Sequence, residues 1–345
     1  MIRVMQIMAG SENGGAENFF VRLSVALSEF KVHQKIITRS NSRRVPKLLS
    51  SNLSVTEAKF GGVFDYRTDK IIRKEFENFL PNIVISWMNR ATFHTSRSLK
   101  KEKFTHVARL GGYYNLKYYK NCDYLIANTK GILKWLENAN MPNLGLHYIP
   151  NFVDSPAISI TKNIDQGNDN KKINLFSAGR FHKNKGFDIL LKSIVNLNFV
   201  FLTIAGDGPL KNDLIYLSKK LGIGDRVNFL GWREDIADLF HKSDIFVCPS
   251  RHEPLGNVIL EAWANKTPII ASDSQGPKEL IVNDENGVLF PIDNVSFLSD
   301  SIKALALDIK KRQKLIENGY VSYKKNFTQD LVAKNYINFF QRIIS

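Results

Sequence analysis

Short apolar runs rich in Val, Ile and Phe alternate with longer segments of helical period along the chain. In the first half the runs are Ile2 to Met8, Gln34 to Thr38, Ile83 to Trp87, His106 to Ala108 and Tyr124 to Ala127. Between the first two, from Ala16 to Phe30, the residues Phe19, Phe20, Leu23, Ala26, Leu27 and Phe30 fall at helical spacing. That spacing predicts a helix with one core-facing stripe. Unbroken apolar strands between amphipathic helices predict a parallel sheet covered on both faces.

After Tyr148-Ile149-Pro150-Asn151 the texture changes. Residues 155–172 are polar, with Gly167-Asn168-Asp169-Asn170 among them, and read as a linker. The alternation then restarts, with strands predicted over Ile173 to Ala178, Val200 to Ala205, Val227 to Leu230, Ile245 to Cys248 and Pro268 to Ala271. Helices are expected near Phe187 to Leu197, Leu210 to Leu221, Ile236 to His241 and Asn257 to Ala264. In the last segment, Asp330 to Ile344, a helical stripe is formed by Val332, Tyr336, Phe339, Phe340 and Ile343. The division is therefore a Rossmann-like domain over 1–154, a linker over 155–172, a second Rossmann-like domain over 173–326 and a final helix over 327–345. Such α/β doubly wound sheets bind ligands at the carboxyl ends of their strands. Two such edges facing each other across a cleft suggest two substrates, one per domain.

Composition supports the division. A chain of 345 residues, 43% of them hydrophobic, exceeds one ordinary core and suits two. No apolar run reaches the roughly 18–20 residues that span a bilayer. Arg3 and Gln6 interrupt the first run, which reads as a buried strand and not as a signal peptide. Cys122 and Cys248 match neither metal-ligand spacing nor a disulfide framework, and they read as small buried hydrophobes in a reducing cytosol. The net charge of +15 attracts polyanions. Its lysines and arginines are spread along the chain, with clusters at Arg97 to Lys103 and Lys310 to Lys314, and no basic-aromatic nucleic-acid motif accompanies them. A solvated basic surface and docking on an anionic membrane face both stay open, and nucleic acid is not expected as a partner.

The sharpest segment is Pro249-Ser250-Arg251-His252-Glu253-Pro254-Leu255-Gly256-Asn257-Val258-Ile259-Leu260-Glu261-Ala262, which follows a strand and opens a helix. Pro254 suits a first helical turn. Gly256 lets backbone approach a ligand, and the free N–H groups of that turn favour a diphosphate. Glu253 before the helix could face the reacting end of a ligand, while Glu261, about two turns deeper, could accept bonds from ribose hydroxyls. An ordinary capped helix explains the same residues equally well. In Gly179-Arg180-Phe181-His182-Lys183-Asn184-Lys185-Gly186-Phe187-Asp188, Arg180 and Lys185 could converge on a diphosphate, with Gly179 and Gly186 permitting tight turns. A basic loop with a charged helix start is the plain alternative. Ala205-Gly206-Asp207-Gly208-Pro209 reads as a structural turn. Asn228-Phe229-Leu230-Gly231-Trp232 is a strand terminus where backbone could meet a nucleobase. Gly10-Ser11-Glu12-Asn13-Gly14-Gly15-Ala16-Glu17 joins the first strand to the first helix and is neither a Walker loop nor a full dinucleotide fingerprint.

Together these segments resemble the retaining glycosyltransferases of family 4, formerly group 1, which have the GT-B fold. The resemblance runs over nearly the whole chain and is strongest from Ile173 to Phe290. It assigns Glu253 to the donor sugar near the reacting carbon, Glu261 to the ribose, and Arg180 with Lys185 to the donor diphosphate. Gly14 and Gly15 match the family's N-terminal glycine loop, and backbone around Leu255, Gly256 and Asn257 would bind phosphate and sugar hydroxyls. Many relatives carry a histidine facing the donor sugar from the N-terminal half. Here the corresponding loops read Trp87-Met88-Asn89-Arg90 and Ala108-Arg109-Leu110-Gly111-Gly112-Tyr113-Tyr114, without one. His94 and His106 are nearby, but a lone histidine is more often structural. Glu17, Arg90 and Arg109 are the candidates on the acceptor side.

The resemblance implies transfer of a sugar from a nucleoside diphosphate sugar to a hydroxyl acceptor with retention, and no metal or other cofactor. A glycolipid or saccharide acceptor of the cell envelope, such as a lipopolysaccharide core, fits a cytoplasmic enzyme visiting the inner membrane. Two alternatives are a nucleotide-sugar epimerase or hydrolase of the same fold, and a basic nucleic-acid-binding protein.

Overall fold

The computed structural model describes residues 2–344 except 13, 42, 140, 142–143 and 155–171, so the expected linker, apart from Lys172, lies outside the described residues. The chain forms two compact units, Met1–Phe152 with Gln329–Ser345, and Val153–Thr328.

The first unit alternates β1 (Arg3–Met8), α1 (Gly15–Glu29), β2 (His33–Thr38), α2 (Arg44–Ser50), β3 (Ser54–Glu57), α3 (Tyr66–Phe79), β4 (Ile83–Trp87), α4 (Met88–Ser98), β5 (Thr105–Leu110), β6 (Tyr124–Ala127), α5 (Lys130–Asn138) and β7 (Gly145–Tyr148). Its strands form one parallel sheet in the order β3-β2-β1-β4-β5-β6-β7. Met5 of the central β1 is paired with Lys35 on one side and Val84 on the other. Gln6, the polar break in the first apolar run, is fully buried yet satisfied. Its amide donates to Ser24 Oγ at 3.0 Å and Gln34 Oε1 at 2.8 Å, and its carbonyl accepts from Trp87 Nε1 at 3.1 Å. The α1 stripe of Phe19, Phe20, Leu23, Ala26 and Leu27 shares one core with Val332, Tyr336, Phe339 and Phe340. These last belong to the C-terminal helix, Gln329–Ile344, which thus completes the first unit.

The second unit runs β8 (Ile173–Ala178), α6 (Phe187–Ser193), β9 (Val200–Ala205), α7 (Lys211–Lys220), β10 (Val227–Gly231), α8 (Ile236–Lys242), β11 (Ile245–Cys248), α9 (Asn257–Ala264), β12 (Ile269–Ser272), α10 (Gln275–Leu280), β13 (Val288–Phe290), α11 (Val295–Leu307) and α12 (Ile309–Asn326). The C-terminal helix of the first unit is then α13. The sheet order is β10-β9-β8-β11-β12-β13, again parallel. Each sheet starts in its middle, winds outward, and reverses. The reversal falls between β1 and β4 in one unit and between β8 and β11 in the other. A crevice opens at the carboxyl ends of strands at such a point, because the connections leave it in opposite directions.

Candidate active site

In the second unit the loops after β8 and β11 emerge side by side, since Leu175 pairs with Ile245. Their backbones touch. Gly186 has φ 63°, and a Cβ there would lie 2.0 Å from Pro249 O, so only glycine fits. His252 N donates to Asn184 O at 3.2 Å. Arg251 fastens the pair. Its guanidinium grips both Asp188 oxygens at 2.8 Å, donates to Lys183 O at 2.8 Å, and reaches Asp293 Oδ1 at 2.6 Å. Two parallel N–H···O bonds fix orientation as well as distance.

This zipper brings the Lys185 ammonium onto the Glu253 carboxylate. The two side chains are 26% and 12% exposed, so the pair is largely shielded from water. The other carboxylate oxygen of Glu253 accepts from Gly256 N at 3.3 Å, and its backbone carbonyl accepts from Gly276 N at 2.7 Å. Glu253 is therefore pinned at three atoms. Burial works to lower the Lys185 ammonium, but the Glu253 carboxylate beside it holds its pKa above the usual lysine value. Burial pushes the neighbouring Cys248 thiol up to about 11, with Glu253 adding to the effect, so this cysteine stays protonated and unreactive at neutral pH.

The remaining donor-side candidates sort by position. Gly179 follows β8, and Arg180 beside it is exposed, with no hydrogen bond or ion pair of its side chain among the described residues. Leu255 and Asn257 are half-buried on either side of Gly256, which starts α9 with φ 82° and no side-chain cap. Pro254 does not enter the helix as its sequence suggested. The left-handed turn at Gly256 delays the helix until Asn257. Glu261 lies half-buried in the second turn of α9. Leu230 is the bulged residue between Phe229 and Gly231, and stands on β10, two strands away from β8.

In the first unit Gly14 and Gly15 start α1. Glu17 is buried in its first turn and accepts from Ser11 N at 2.7 Å and Ser11 Oγ at 2.9 Å. Glu17 and Arg90 line one cavity of about 530 Å³, together with Met88, Phe93 and His94. Arg109 is not there. It is 1% exposed, donates to Tyr336 Oη at 2.9 Å and to Asn151, and lies 4.4 Å from the Phe19 ring centre and 4.9 Å from that of Trp87. Its guanidinium ties α13 to the sheet. His94 is fully buried, and its Nδ1 donates to Asp69 Oδ1 at 2.7 Å. His106 is buried against Ser86 Oγ at 2.9 Å.

Arg251 and Gly276 escaped the sequence reading. The signal for Arg251 was present, as an arginine in one loop segment and Asp188 in the other. Gly276 gives no such signal, because its role follows only from the backbone of Glu253 reaching it.

Two parallel Rossmann-type sheets in one chain, each reversing next to its first strand, form the architecture of the GT-B fold. Anabaena HepE, in a crystal structure with UDP-glucose, shares this fold at a TM-score of 0.84 and 16% identity, covering 99% of this chain and 100% of that one. Residues 159–322 match the family described as Glycosyl transferases group 1. The lipopolysaccharide core biosynthesis glycosyltransferase LpsD of Rhizobium meliloti is 30% identical over 352 residues, 99% of this chain and 98% of its own. LpsE of the same organism, with the same description, is 29% identical over 333 residues, 94% and 95% of the two chains. The chain belongs to the group 1 glycosyl transferases. None of these likenesses favours an epimerase, a hydrolase or a nucleic-acid-binding protein. Among the described residues no helix is long and apolar enough to cross a membrane.

Proposed function

We propose that the chain transfers a sugar from a nucleoside diphosphate sugar to a hydroxyl of a cell-envelope saccharide, with retention as in family 4. Lipopolysaccharide core synthesis is the setting that the descriptions of LpsD and LpsE support. The carrying observation is the Lys185–Glu253 contact at the strand reversal of the second sheet, where an α/β fold binds its ligand. The UDP-glucose in the HepE crystals supports a nucleotide sugar as donor. On this reading the second unit holds the donor and the first holds the acceptor.

The anomeric carbon–oxygen bond of the donor breaks, and its electron pair leaves with the diphosphate. Arg180, exposed and without a side-chain partner among the described residues, meets that charge together with Lys185 and the mouth of α9 at Leu255, Gly256 and Asn257. An ammonium has three N–H donors and Glu253 takes one, which leaves Lys185 able to serve both groups. Glu253 lies against the sugar and stabilises the positive charge that grows on it. The acceptor oxygen bonds to the anomeric carbon on the face just vacated, and its proton passes to the departing phosphate oxygen. Glu261 holds the ribose, and backbone at Leu230 meets the base. Charge neutralisation falls to side chains and backbone, with no metal required.

A panel of nucleotide sugars, screened for thermal stabilisation of wild type and Lys185→Ala, tests the reading. One base and sugar should raise the melting temperature of wild type alone. No stabilisation by any member sinks the donor assignment, and an inverted product, seen by NMR of the new linkage, sinks retention.

A further inference from the structure

A second cavity, of about 450 Å³, lies beside the one lined by Glu17 and Arg90, and shares Gly10, Ser11 and Arg39 with it. Its distinctive lining is Arg39, Ser40, Asn41 and Arg44, all just beyond the carboxyl end of β2. Arg44 is 4% exposed. Its guanidinium donates to Ser11 O at 2.7 Å and Thr38 Oγ1 at 3.2 Å, both uncharged, and its Nε is buried without a partner. Arg39 is half-buried, with no hydrogen bond or ion pair of its side chain among the described residues. Glu12 stands exposed on the rim and pairs with neither arginine, while the Glu17 carboxylate is taken up by Ser11. Burial lowers the pKa of Arg44; Glu17 offsets part of this and Arg39 adds to it by repulsion. Two guanidinium groups thus face one cavity with no carboxylate bonded to either. A buried cation left in that state is costly, and a bound anion relieves it. The planar fork of arginine suits phosphate and carboxylate oxygens in particular.

We propose that the Arg39–Arg44 cavity binds an anionic substituent, phosphate or carboxylate, on the acceptor saccharide, and that Arg39 selects charged acceptors over neutral ones. This rests on the transferase reading above. The adjoining cavity then receives the sugar ring, whose neighbouring hydroxyl is the one glycosylated.

The test is a ligand-observed NMR titration of wild type and Arg39→Gln with glucose 6-phosphate, glucuronate and glucose, with UDP, GDP, ADP, CDP and dTDP titrated in parallel. Arg39 is half-buried and has no side-chain partner among the described residues, so the variant keeps the fold, which a melting curve checks. Wild type should bind at least one charged sugar about tenfold or more tighter than glucose, and Arg39→Gln should lose that preference with nucleotide affinity unchanged. Whether the phosphate or the carboxylate probe binds names the substituent. Equal binding of glucose and its charged forms overturns the proposal. A parallel loss of nucleotide binding in Arg39→Gln also overturns it, by giving the arginine to the donor. Wild type that binds a nucleotide but does not discriminate among the sugars fails this inference alone. Wild type that binds none of UDP, GDP, ADP, CDP and dTDP fails the donor reading instead.

Discussion

Lys185 and Glu253 are 68 residues apart in sequence, and their side chains meet across two loops that leave neighbouring strands. Neither loop could place its charge alone. The pairing depends on Gly186 giving way to Pro249 and on the grip of Arg251 on Asp188. The same pair therefore has a structural and a chemical role, which can be separated.

Lys185→Met and Glu253→Leu each leave a shielded charge without its partner. Each is expected to cost the second unit about 1–3 kcal/mol. The double variant removes both charges and should recover most of that loss. Transfer should fall at least about a hundredfold in all three. Melting curves and a transfer assay on the set decide the matter. A double variant that regains transfer along with stability would make the pair purely structural.

Arg251 touches no ligand on this reading but aligns both loops that do. Misplacing reacting groups by about 1 Å costs on the order of a hundredfold in rate. Arg251→Ala should lower kcat/KM for the donor by about that factor. Arg251→Lys keeps the charge without the fork and should lose about tenfold. Equal kcat/KM in wild type and the alanine variant would show that the loops align without it.

His106 provides a pH dependence in the first unit. Burial holds its pKa near 4, below the roughly 6.5 of an exposed imidazole, with a backbone bond to Asn121 acting weakly the other way. The folded-state value is the lower one, so its contribution is complete above about pH 6.5. As the pH falls towards 4 the unfolded chain takes up a proton that the folded chain refuses. Stability should drop by about 3 kcal/mol over that interval. In His106→Gln this part of the drop disappears. Urea midpoints at pH 7.5, 5.5 and 4.5 should show the gap between wild type and variant closing with acidity. A constant gap would place the sensitivity elsewhere.

Arg109 packs its guanidinium against the rings of Phe19 and Trp87 and bonds to Tyr336. Arg109→Ala removes charge, packing and two bonds together, and an expected loss of about 3–5 kcal/mol could prevent folding. Tyr336→Phe is gentler, deleting only the hydroxyl that accepts from Arg109, at about 1 kcal/mol. Hydrogen exchange should then quicken in α13 before it quickens in the central strands. Uniform exchange across the unit would show that α13 does not depend on this bond.

The alternation of strands and helices was legible because β1, β4, β8 and β11 are mostly buried and mainly apolar, with Gln6, Ser86, Asn174 and Ser177 as isolated polar positions. The edge strands of the first sheet were not. β3 reads Ser-Val-Thr-Glu and β7 reads Gly-Leu-His-Tyr, short stretches with half-exposed or exposed residues and no strand signature. The loops after β8 and β11 stood out because glycines and charges crowd the ends of apolar runs. Arg39 and Arg44 did not, being two arginines among 48 lysines and arginines, and only the fold turns them towards one cavity. Arg109 misled in the opposite sense. Its place on a loop where relatives carry a histidine suggested a ligand contact, whereas the aromatic rings around it come from residues 19 and 87 and cannot be seen locally.

The first unit draws its closing helix from the far end of the chain, a fact with consequences for biosynthesis. A nascent polypeptide must carry the core that α1 shares with the sheet incompletely covered through translation of some three hundred further codons before α13 emerges to close it. A nonsense or frameshift lesion late in the gene would therefore disable the part of the enzyme that is translated first.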